Sequence, residues 1–388
     1  MTAAEKNDVK NTMQIHSQAK VEFYKKYLER YLVILCAAPS IKHINIYDVF
    51  CGMGIYDDGK KGSPIVAYET ISELYNCGNI KPGTEITLII NDKEKDRIDK
   101  VMEYISKHEH PYCKVEPYNL DIEEMFQEIL PRINDSSSDT RNLVFIDPYG
   151  YKNISRNLIC GLMENRKTEI ILFLPISHMQ RFTDVAVKDE KEMAQYKPLR
   201  DFIDGFFPDP NHPIRQNTVS VKEYIRYVTE ALRLDSDIYT TSFYLERDKN
   251  KSTFFALFFI SPNIYGFEKI LEVKWGLDEE AGRGFNIPER IGDLFEKEMA
   301  LESKQNNALR LKKLLEEHLS KGRTNKEIYE FVLRNEFLPK HANEVLKSIQ
   351  KENPKFKVYD MTRDHSAQKG AFYIKHNPTK LVIMEIEQ

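Results

Sequence analysis

Residues 48–64, DVFCGMGIYDDGKKGSP, decide the fold of this chain. The run INIYDVF (44–50) that leads into them is β-branched and aromatic, as expected of a buried strand. After a loop that carries glycines, Ser63 is the predicted N-cap and Pro64 the first residue of a helix over about 64–76. A strand, a glycine-bearing loop and a helix in this order predict the first unit of an α/β sheet.

Strand and helix patterns alternate through the next hundred residues, after a helical pattern at 16–37. The further strand patterns are EITLIIND (85–92), CKVEPY (113–118), NLVFIDPYG (142–150) and TEIILFLP (168–175). This alternation predicts a doubly wound, Rossmann-like parallel sheet. Two later patterns, IYTTSFYLER and STFFALFFIS, are joined by the turn DKNK and predict an antiparallel hairpin at the end of that sheet.

The pattern divides the chain into two predicted domains. Residues 1–298 form the α/β domain, in which the charged and proline-rich segment 178–216 resembles an insertion, either a lid or a substrate-facing excursion. Residues 299–388 hold three helical patterns and two short strand patterns, FKVYD (356–360) and AFYIKH (371–376). We therefore predict a C-terminal winged-helix-like α+β module.

Charge is distributed unevenly along the chain. Residues 301–388 hold 17 Lys and Arg against 12 Asp and Glu, a net charge of +5. Because the whole chain has a net charge of −4, residues 1–300 carry a net charge of −9. A small basic module on an acidic body favours a polyanionic partner, although this balance also fits an ordinary surface.

Cysteine content and hydropathy exclude several classes of protein. The five cysteines are scattered without a CxxC pair, which argues against a disulfide framework or a zinc knuckle, and we expect no metal site. No apolar run approaches the roughly 20 residues that span a bilayer, and residues 1–20 lack a signal-peptide pattern. We expect a cytoplasmic protein without a membrane partner.

Acidic residues lie at or just beyond the ends of the first three predicted strands. Ligands of doubly wound sheets bind outside the carboxyl ends of the strands. The glycines of the first loop would let backbone amides approach such a ligand closely. The candidate cofactor-binding residues are Asp48, Phe50, Gly52, Gly54, Asp92 and Asp121.

The first loop differs from a dinucleotide fingerprint. The third glycine is replaced by Asp57, and Asp92 lies much further along the chain than the expected acid. S-adenosylmethionine fits better, because its sulfonium and amino groups suit carboxylates and its ribose diol suits an acid after the second strand. The alternative is that Asp48 and the glycines form only a turn.

The motif DPYG (147–150) follows the fourth strand pattern. It looks like the D-P-P-Y/F element of amino-methyltransferases that act on nucleobases. There, a carboxylate and a backbone carbonyl accept the two N–H groups of an exocyclic amine and aim its lone pair at the methyl group. Asp147 and Pro148 would be the acceptors, and Tyr149 or Tyr151 would stack on the base. The alternative is a turn that ends the strand.

Several motifs together resemble the three-Cys-motif partner protein family, TcmP. They are HSQAKVEFYKKYL (16–28), DVFCGMGIYDDGKKGSP, IINDKEKDR and LVFIDPYG, and they extend over roughly residues 12–175. FEKILEVKWGLDEEAGRGF (267–285) is similar to a later helix of that family. The resemblance implies a methyltransferase-like fold and a possible protein partner that bears a three-cysteine motif.

This chain departs from related patterns at two places. Cys51 and Met53 replace the more usual small residue and proline of the first loop, and Tyr149 stands in place of the second proline of D-P-P-Y. The form of DPYG is similar to that of tRNA N2-guanine dimethyltransferases, which favours an exocyclic amine as the acceptor.

The sequence thus predicts an S-adenosylmethionine-dependent methyltransferase that acts on an exocyclic amine of a nucleobase in DNA or RNA. Asp147, Pro148 and Tyr149 are the predicted catalytic residues. The predicted phosphate contacts of the C-terminal module are Lys340, Lys347, Lys351 and Lys369. Two alternatives stay open: a non-catalytic partner that binds nucleic acid or a protein through its winged helix, and a methyltransferase of small molecules or proteins.

Overall fold

The chain divides into two compact units, Met1–Asn263 with Phe285–Ile287 and Ile264–Gly284 with Pro288–Gln388. The predicted domain boundary at residue 298 stays a prediction. The computed structural model describes residues 13, 15–80, 83–148, 150–151, 153–188, 193–216, 219–246, 254–278, 284–285, 294–361 and 372–387.

The first unit is built on a mixed sheet whose strands run in the order β3-β2-β1-β4-β5-β7-β6-β8. Strands β1 to β5 are parallel, and β7 is antiparallel to both β5 and β6. The strands are β1 (His43–Asp48), β2 (Glu85–Asn91), β3 (Lys114–Tyr118), β4 (Thr140–Ile146), β5 (Thr168–Leu174), β6 (Tyr239–Glu246), β7 (Phe254–Ser261) and β8 (Gly284–Phe285).

Helices connect the parallel strands, as the alternating pattern predicts. A helix precedes β1, and the described residues between β5 and β6 form three helices and a 3₁₀ turn (Pro213–Arg215). The helices are α1 (Ile15–Ala37), α2 (Ser63–Asn76), α3 (Lys95–Lys107), α4 (Ile122–Asn134), α5 (Arg156–Met163), α6 (Ile176–Val187), α7 (Lys197–Phe206) and α8 (Val221–Ala231).

This topology confirms the predicted fold class. In the dinucleotide-binding fold all strands are parallel and follow the order 3-2-1-4-5-6. Here β7 lies between β5 and β6 and is antiparallel to both, and that fold has no such strand. The hairpin of β6 and β7 is the predicted antiparallel end of the sheet. Every residue of β5 is buried, as expected of a strand covered on both faces.

The carboxyl ends of β1, β2 and β4 meet at one edge of the sheet. Asp48, the last residue of β1, pairs in register with Ile90 on one side and Phe145 on the other. Residues that follow these three strands therefore share one place, which is where ligands of such sheets bind.

The buried side chain of Asn91 joins these strand ends. Its Nδ2 donates to the carbonyl oxygens of Val49 and Leu120, at 3.3 Å each, and its Oδ1 accepts from the amide of Leu120 at 3.0 Å. One amide side chain thus satisfies backbone groups that follow β1 and β3, and it fixes where both loops leave the sheet.

The segment 178–216, predicted as an insertion, is largely helical. It includes most of α6, all of α7 and the 3₁₀ turn. The buried face of α7 is formed by Leu199, Phe202, Ile203 and Phe206. The segment packs into the hydrophobic core of the first unit.

The second unit has the winged-helix-like architecture predicted from the sequence. Its helices are α9 (Ile264–Leu277), α10 (Leu294–His318), α11 (Asn325–Arg334) and α12 (Pro339–Glu352), and its strands are β9 (Arg323–Thr324), β10 (Phe356–Asp360) and β11 (Val382–Ile386). The strands form a small antiparallel sheet in the order β10-β11-β9.

One strand of this module was predicted wrongly. The partner of β10 is Val382–Ile386, and the described part of AFYIKH, residues 372–376, is not a strand. Here the Asn325 amide donates to the carbonyl of Tyr373 at 3.1 Å, so a side chain takes the place of a strand partner. Residues 372–376 and 382–386 both contain several apolar residues, so composition does not show which of the two forms the strand.

Helix α9 belongs to the second unit because its side chains bond to α11 and to the residues that follow it. The Trp275 indole N–H donates to the carbonyl of Glu336 at 2.9 Å, and the buried Lys274 lies 3.2 Å from the Glu336 carboxylate. The Tyr329 hydroxyl donates to the buried Glu268 carboxylate.

Removing the Asn91 side chain should destabilise the first unit. Asn91→Ala leaves one buried and two partly buried backbone groups without their partner, so we expect a loss of roughly 2 to 3 kcal/mol in the free energy of unfolding. Urea titration measures this loss, with the exposed helix residue Asn76→Ala as the control. Equal midpoints for the two variants would show that the Asn91 bonds do not hold the strand ends.

Candidate active site

A cavity of about 760 Å³ opens at the carboxyl ends of β1, β4 and β5. Its size lies in the range of small-molecule and cofactor sites. Its walls come from α1, from the loops that follow β1 and β4, and from α6. The lining residues that matter below are Lys20, Phe50, Cys51, Gly52, Gly54, Ser63, Asp147, Pro148, Tyr151, Phe173, His178 and Arg181.

The loop after β1 takes its shape from two glycines. Gly52 and Gly54 have φ angles of +64° and +71°, in the left-handed region that favours glycine. A Cβ on Gly54 would lie 2.6 Å from Cγ2 of Val101, so no side chain fits there without a shift. The loop turns back on α2, where the Gly62 amide donates to the Gly54 carbonyl at 2.6 Å.

Ser63 differs from its predicted role. The N-cap of α2 is Gly62, which makes no side-chain cap, and Ser63 is the first helical residue. Its side chain lies at the cavity, next to Asp48, whose pKa it helps to hold down.

Asp48 lies beneath the cavity and is fully buried. Neither of its carboxylate oxygens makes a hydrogen bond of ordinary length and angle within the described residues, although the Ser63 side chain and the Phe50 amide lie close enough to act on its pKa. Burial, reinforced by the negative charge of Asp147, raises the pKa of Asp48 to about 7, against the lowering effects of Ser63, Lys20 and the Phe50 amide. A buried carboxyl with these surroundings is stabilised by a nearby cation or by protonation.

Asp92 supports the glycine loop from behind. Its side chain is nearly buried, and it accepts from the backbone amides of Gly52 at 3.1 Å and Glu94 at 2.9 Å. Arg97 lies 3.3 Å from the same carboxylate. Asp92 does not line the cavity, and its predicted contact with a ribose stays a prediction.

Asp121 is the N-cap of α4. Its carboxylate accepts from the Glu123 amide at 3.1 Å, and Glu124 completes a capping box. It is exposed and does not line the cavity, so its predicted cofactor contact also stays a prediction. Phe50, Gly52 and Gly54 do line the cavity.

The described residues of the DPYG motif line the same cavity as the glycine loop. Asp147 and Pro148 line the cavity, and Asp147 bonds to the ammonium of Lys20. The Pro148 carbonyl accepts from the Gly150 amide at 2.7 Å. Tyr149 lies outside the described residues. The predicted acceptors Asp147 and Pro148 are thus brought to one place.

Lys20 is a site residue that the sequence pattern did not single out. It comes from α1, and its Nζ lies 4.7 Å from the centroid of the Phe173 ring, also in the cavity wall. Its position within HSQAKVEFYKKYL, among the motifs that carry the family resemblance, was the one available signal.

Three side chains at the cavity were also missed or left open. The Tyr151 hydroxyl lies 3.4 Å from Nδ1 of His178, and their ring centroids are 5.8 Å apart. Burial, together with the Arg181 charge, lowers the pKa of His178. His178 and Arg181 belong to the segment predicted as an insertion, so that segment contributes to the cavity wall.

The Cys51 thiol also lines the cavity. The thiol is buried, and burial raises its pKa, so it is not a thiolate nucleophile. Within the described residues, no three His, Cys, Asp or Glu side chains are grouped to hold a metal ion.

Three of the four predicted phosphate contacts are exposed on α12: Lys340, Lys347 and Lys351. Glu344, also exposed, lies between them in sequence and reduces the local positive charge. Lys369 lies outside the described residues. In the helices that the structure describes, none is long and apolar enough to cross a bilayer.

Comparison with known families matches residues 286–354 to the GMT-like wHTH domain. This match lies in the second unit and agrees with its winged-helix architecture. The search of curated proteins found no match.

Solved structures similar to this chain include three proteins. One is from Corynebacterium glutamicum (13% identity, 60% of this chain and 79% of that chain, TM-score 0.26). Another is a dimethyladenosine transferase from Plasmodium falciparum (11%, 65% and 70%, 0.26). A third is a loganic acid methyltransferase with SAH (9%, 75% and 88%, 0.29). Scores this low do not bear on the function of this chain.

Replacing Asp48 by its neutral isostere should stabilise the protein in a pH-dependent way. A folded-state pKa of about 7 exceeds the unfolded value of 3.8, so ionisation of wild-type Asp48 costs stability as the pH rises through that interval. Asp48→Asn should therefore gain stability over wild type between about pH 4 and 7, by on the order of 4 kcal/mol at pH 8. Denaturant titrations at pH 4.5 and 8 measure it, and an equal difference at both pH values would contradict the assignment.

Proposed function

We propose that this protein is an S-adenosylmethionine-dependent methyltransferase that acts on an exocyclic amine of a nucleobase in DNA or RNA. The observation that carries the proposal is the cavity at the ends of β1 and β4, with the buried Asp48 beneath it and Asp147 in its wall. It is a site for a cationic cofactor beside an acceptor of N–H groups.

Electrostatics favour a cationic cofactor over a nucleotide. The Lys20 ammonium is already paired with Asp147, and Asp48 adds a second, fully buried acid, so Lys20 is not free to bind a pyrophosphate. A Cβ on Gly52 would meet nothing within 4 Å, so a ligand has room beside that backbone, whereas the missing side chain of Gly54 makes room for Val101. When bound, S-adenosylmethionine supplies an electrophilic methyl group and a positive charge near Asp48.

Asp147 and Pro148 are the proposed acceptors of the target amine. The carbonyl of Pro148 accepts one bond from Gly150 and keeps a second lone pair, and the Asp147 carboxylate keeps acceptor capacity beyond Lys20. Two such acceptors hold an amine so that its lone pair points into the cavity. Tyr149, or the half-buried Tyr151, is the proposed stacking ring for the base.

A nucleic-acid acceptor is supported by two separate features. Arg181 is exposed at the cavity, next to the ring of His178, and suits a phosphate that neighbours a stacked base. The second unit has the architecture of a module that commonly binds nucleic acid, with Lys340, Lys347 and Lys351 on the exposed face of α12. We also propose TcmP membership and a partner with a three-cysteine motif, on the family resemblance alone, and a cytoplasmic location, on the cysteine usage and hydropathy of the sequence.

The second candidate is a non-catalytic, methyltransferase-like partner protein. It is favoured by Asp92 and Asp121, whose carboxylates accept from backbone amides and do not line the cavity. A cofactor would then lack two of its proposed contacts.

Labelled methyl transfer separates the candidates. The protein would be incubated with S-adenosylmethionine labelled in the methyl group and with total RNA, genomic DNA or a protein extract, and the product nucleoside would be identified. We expect label in an N-methylated nucleoside. Cofactor binding without label in any polymer would favour the partner protein, and label in protein would contradict a nucleobase acceptor.

Removing Asp147 should separate cofactor binding from chemistry. Asp147→Ala should leave the affinity for S-adenosylhomocysteine nearly intact, because the carboxylate faces the acceptor. Methyl transfer should fall by about a hundredfold to a thousandfold. The matched control is the exposed Asp99→Ala on α3. An Asp147→Ala variant that folds and works at the wild-type rate would reduce DPYG to a turn.

The α12 lysines should set the salt dependence of nucleic-acid binding. If Lys340, Lys347 and Lys351 contact phosphates, each replacement by Ala should lower the slope of log K against log salt by close to one. Fluorescence anisotropy with a labelled oligonucleotide measures it, with the exposed Lys107 and Lys197 of the first unit as controls. An unchanged slope would assign this face to protein contact.

A further inference from the structure

Lys20 is the least expected charge in the cavity. Its side chain is one-tenth exposed and reaches from α1 to the loop after β4, where its Nζ bonds to Oδ2 of Asp147. The ring of Phe173 lies on one side of the ammonium, 4.7 Å away. The ammonium is thus held in place by a carboxylate and a ring face.

Lys20 stands in the field of two acids. Its charge lowers the pKa of Asp48, and the charge of Asp147 raises it, so the three groups interact through the floor of the cavity. Without a cation, two neighbouring carboxylates in a site of low polarity do not both stay ionised. One ammonium compensates this excess of negative charge.

The bond to Lys20 uses one side of the Asp147 carboxylate. Within the described residues no donor bonds to Oδ1, and the Asp147 side chain is one-fifth exposed at the cavity. A carboxylate accepts several hydrogen bonds, so Oδ1 is available to an N–H group of a ligand while Oδ2 is held.

We propose that Lys20 is a positioning residue for the methyl transfer proposed above: by holding Oδ2 of Asp147, it presents Oδ1 to the acceptor amine. The inference rests on the proposed function and adds a residue from α1 to it. A buried ion pair contributes little to stability compared with apolar residues of similar size, so stability alone does not explain a lysine here.

Kinetics of Lys20 variants test this role. Lys20→Met keeps the length of the side chain and removes the charge. It should lower kcat by roughly tenfold to a hundredfold through misplacement of Asp147. The acceptor KM and the affinity for S-adenosylhomocysteine should stay within about threefold of wild type. The matched control is Lys26→Met, on the same helix, where the lysine pairs with Glu22 at the surface.

A second variant tests whether the rate depends on Lys20 holding only Oδ2 of Asp147 or merely on a positive charge at position 20. Lys20→Arg keeps the charge, but a guanidinium forks onto both carboxylate oxygens and would occupy Oδ1. We expect its kcat to fall as well. A full rate for the Arg variant, or a Met variant with unchanged kcat, would overturn the proposal. A lower acceptor KM at unchanged kcat in the Met variant would instead show that Lys20 competes with the amine.

Crystal structures of wild type and Lys20→Met give a readout that does not depend on activity. We expect the Asp147 carboxylate to turn away from its wild-type orientation in the variant. An unchanged carboxylate would overturn the positioning role even if kcat falls. If wild type transfers no methyl group to any acceptor, the proposed function fails, and these structures still decide whether Lys20 orients Asp147.

Discussion

The arrangement of the site depends on one costly group, the carboxyl of Asp48. The register of β1 between β2 and β4 puts it at the sheet edge, fully buried and without a hydrogen bond of ordinary length and angle in the described part of the chain. Burial of such a group is expensive unless a cation is near. Burial raises the pKa of Asp48 to about 7, so ionising this carboxyl at neutral pH costs free energy. The Lys20 ammonium bonds to Asp147 and also lowers the pKa of Asp48, so one cation acts on two acids. A bound cationic cofactor would compensate the negative charge that Lys20 leaves uncompensated.

Much of this arrangement could be predicted from the sequence, because strand ends are local features. The apolar run that ends at Asp48, the glycines that follow and the DPYG motif each mark a carboxyl end, and the sheet brings these ends together. Lys20 could not be found this way, since its contact with Asp147 joins positions 127 residues apart. Asp121 has in addition a structural role that is local in the sequence. Its spacing from Glu124 is that of a capping box, so its place at the start of α4 could be read from the sequence alone.

In the proposed function the two compact units would have different roles. Chemistry would belong to the first unit, where a rigid sheet edge holds the carboxylates, and recognition of a polyanion to the second, where α12 exposes lysines. The winged-helix match covers only residues 286–354, so the identity of the acceptor rests on the cavity and its chemistry.

A crystal structure with S-adenosylhomocysteine tests the central claim most directly. We expect the ligand in the cavity, against the backbone of Phe50 to Gly54, with its sulfur atom on the side of Asp48 and Asp147. An empty cavity at a saturating concentration of the ligand, or a ligand bound elsewhere on the first unit, would contradict it.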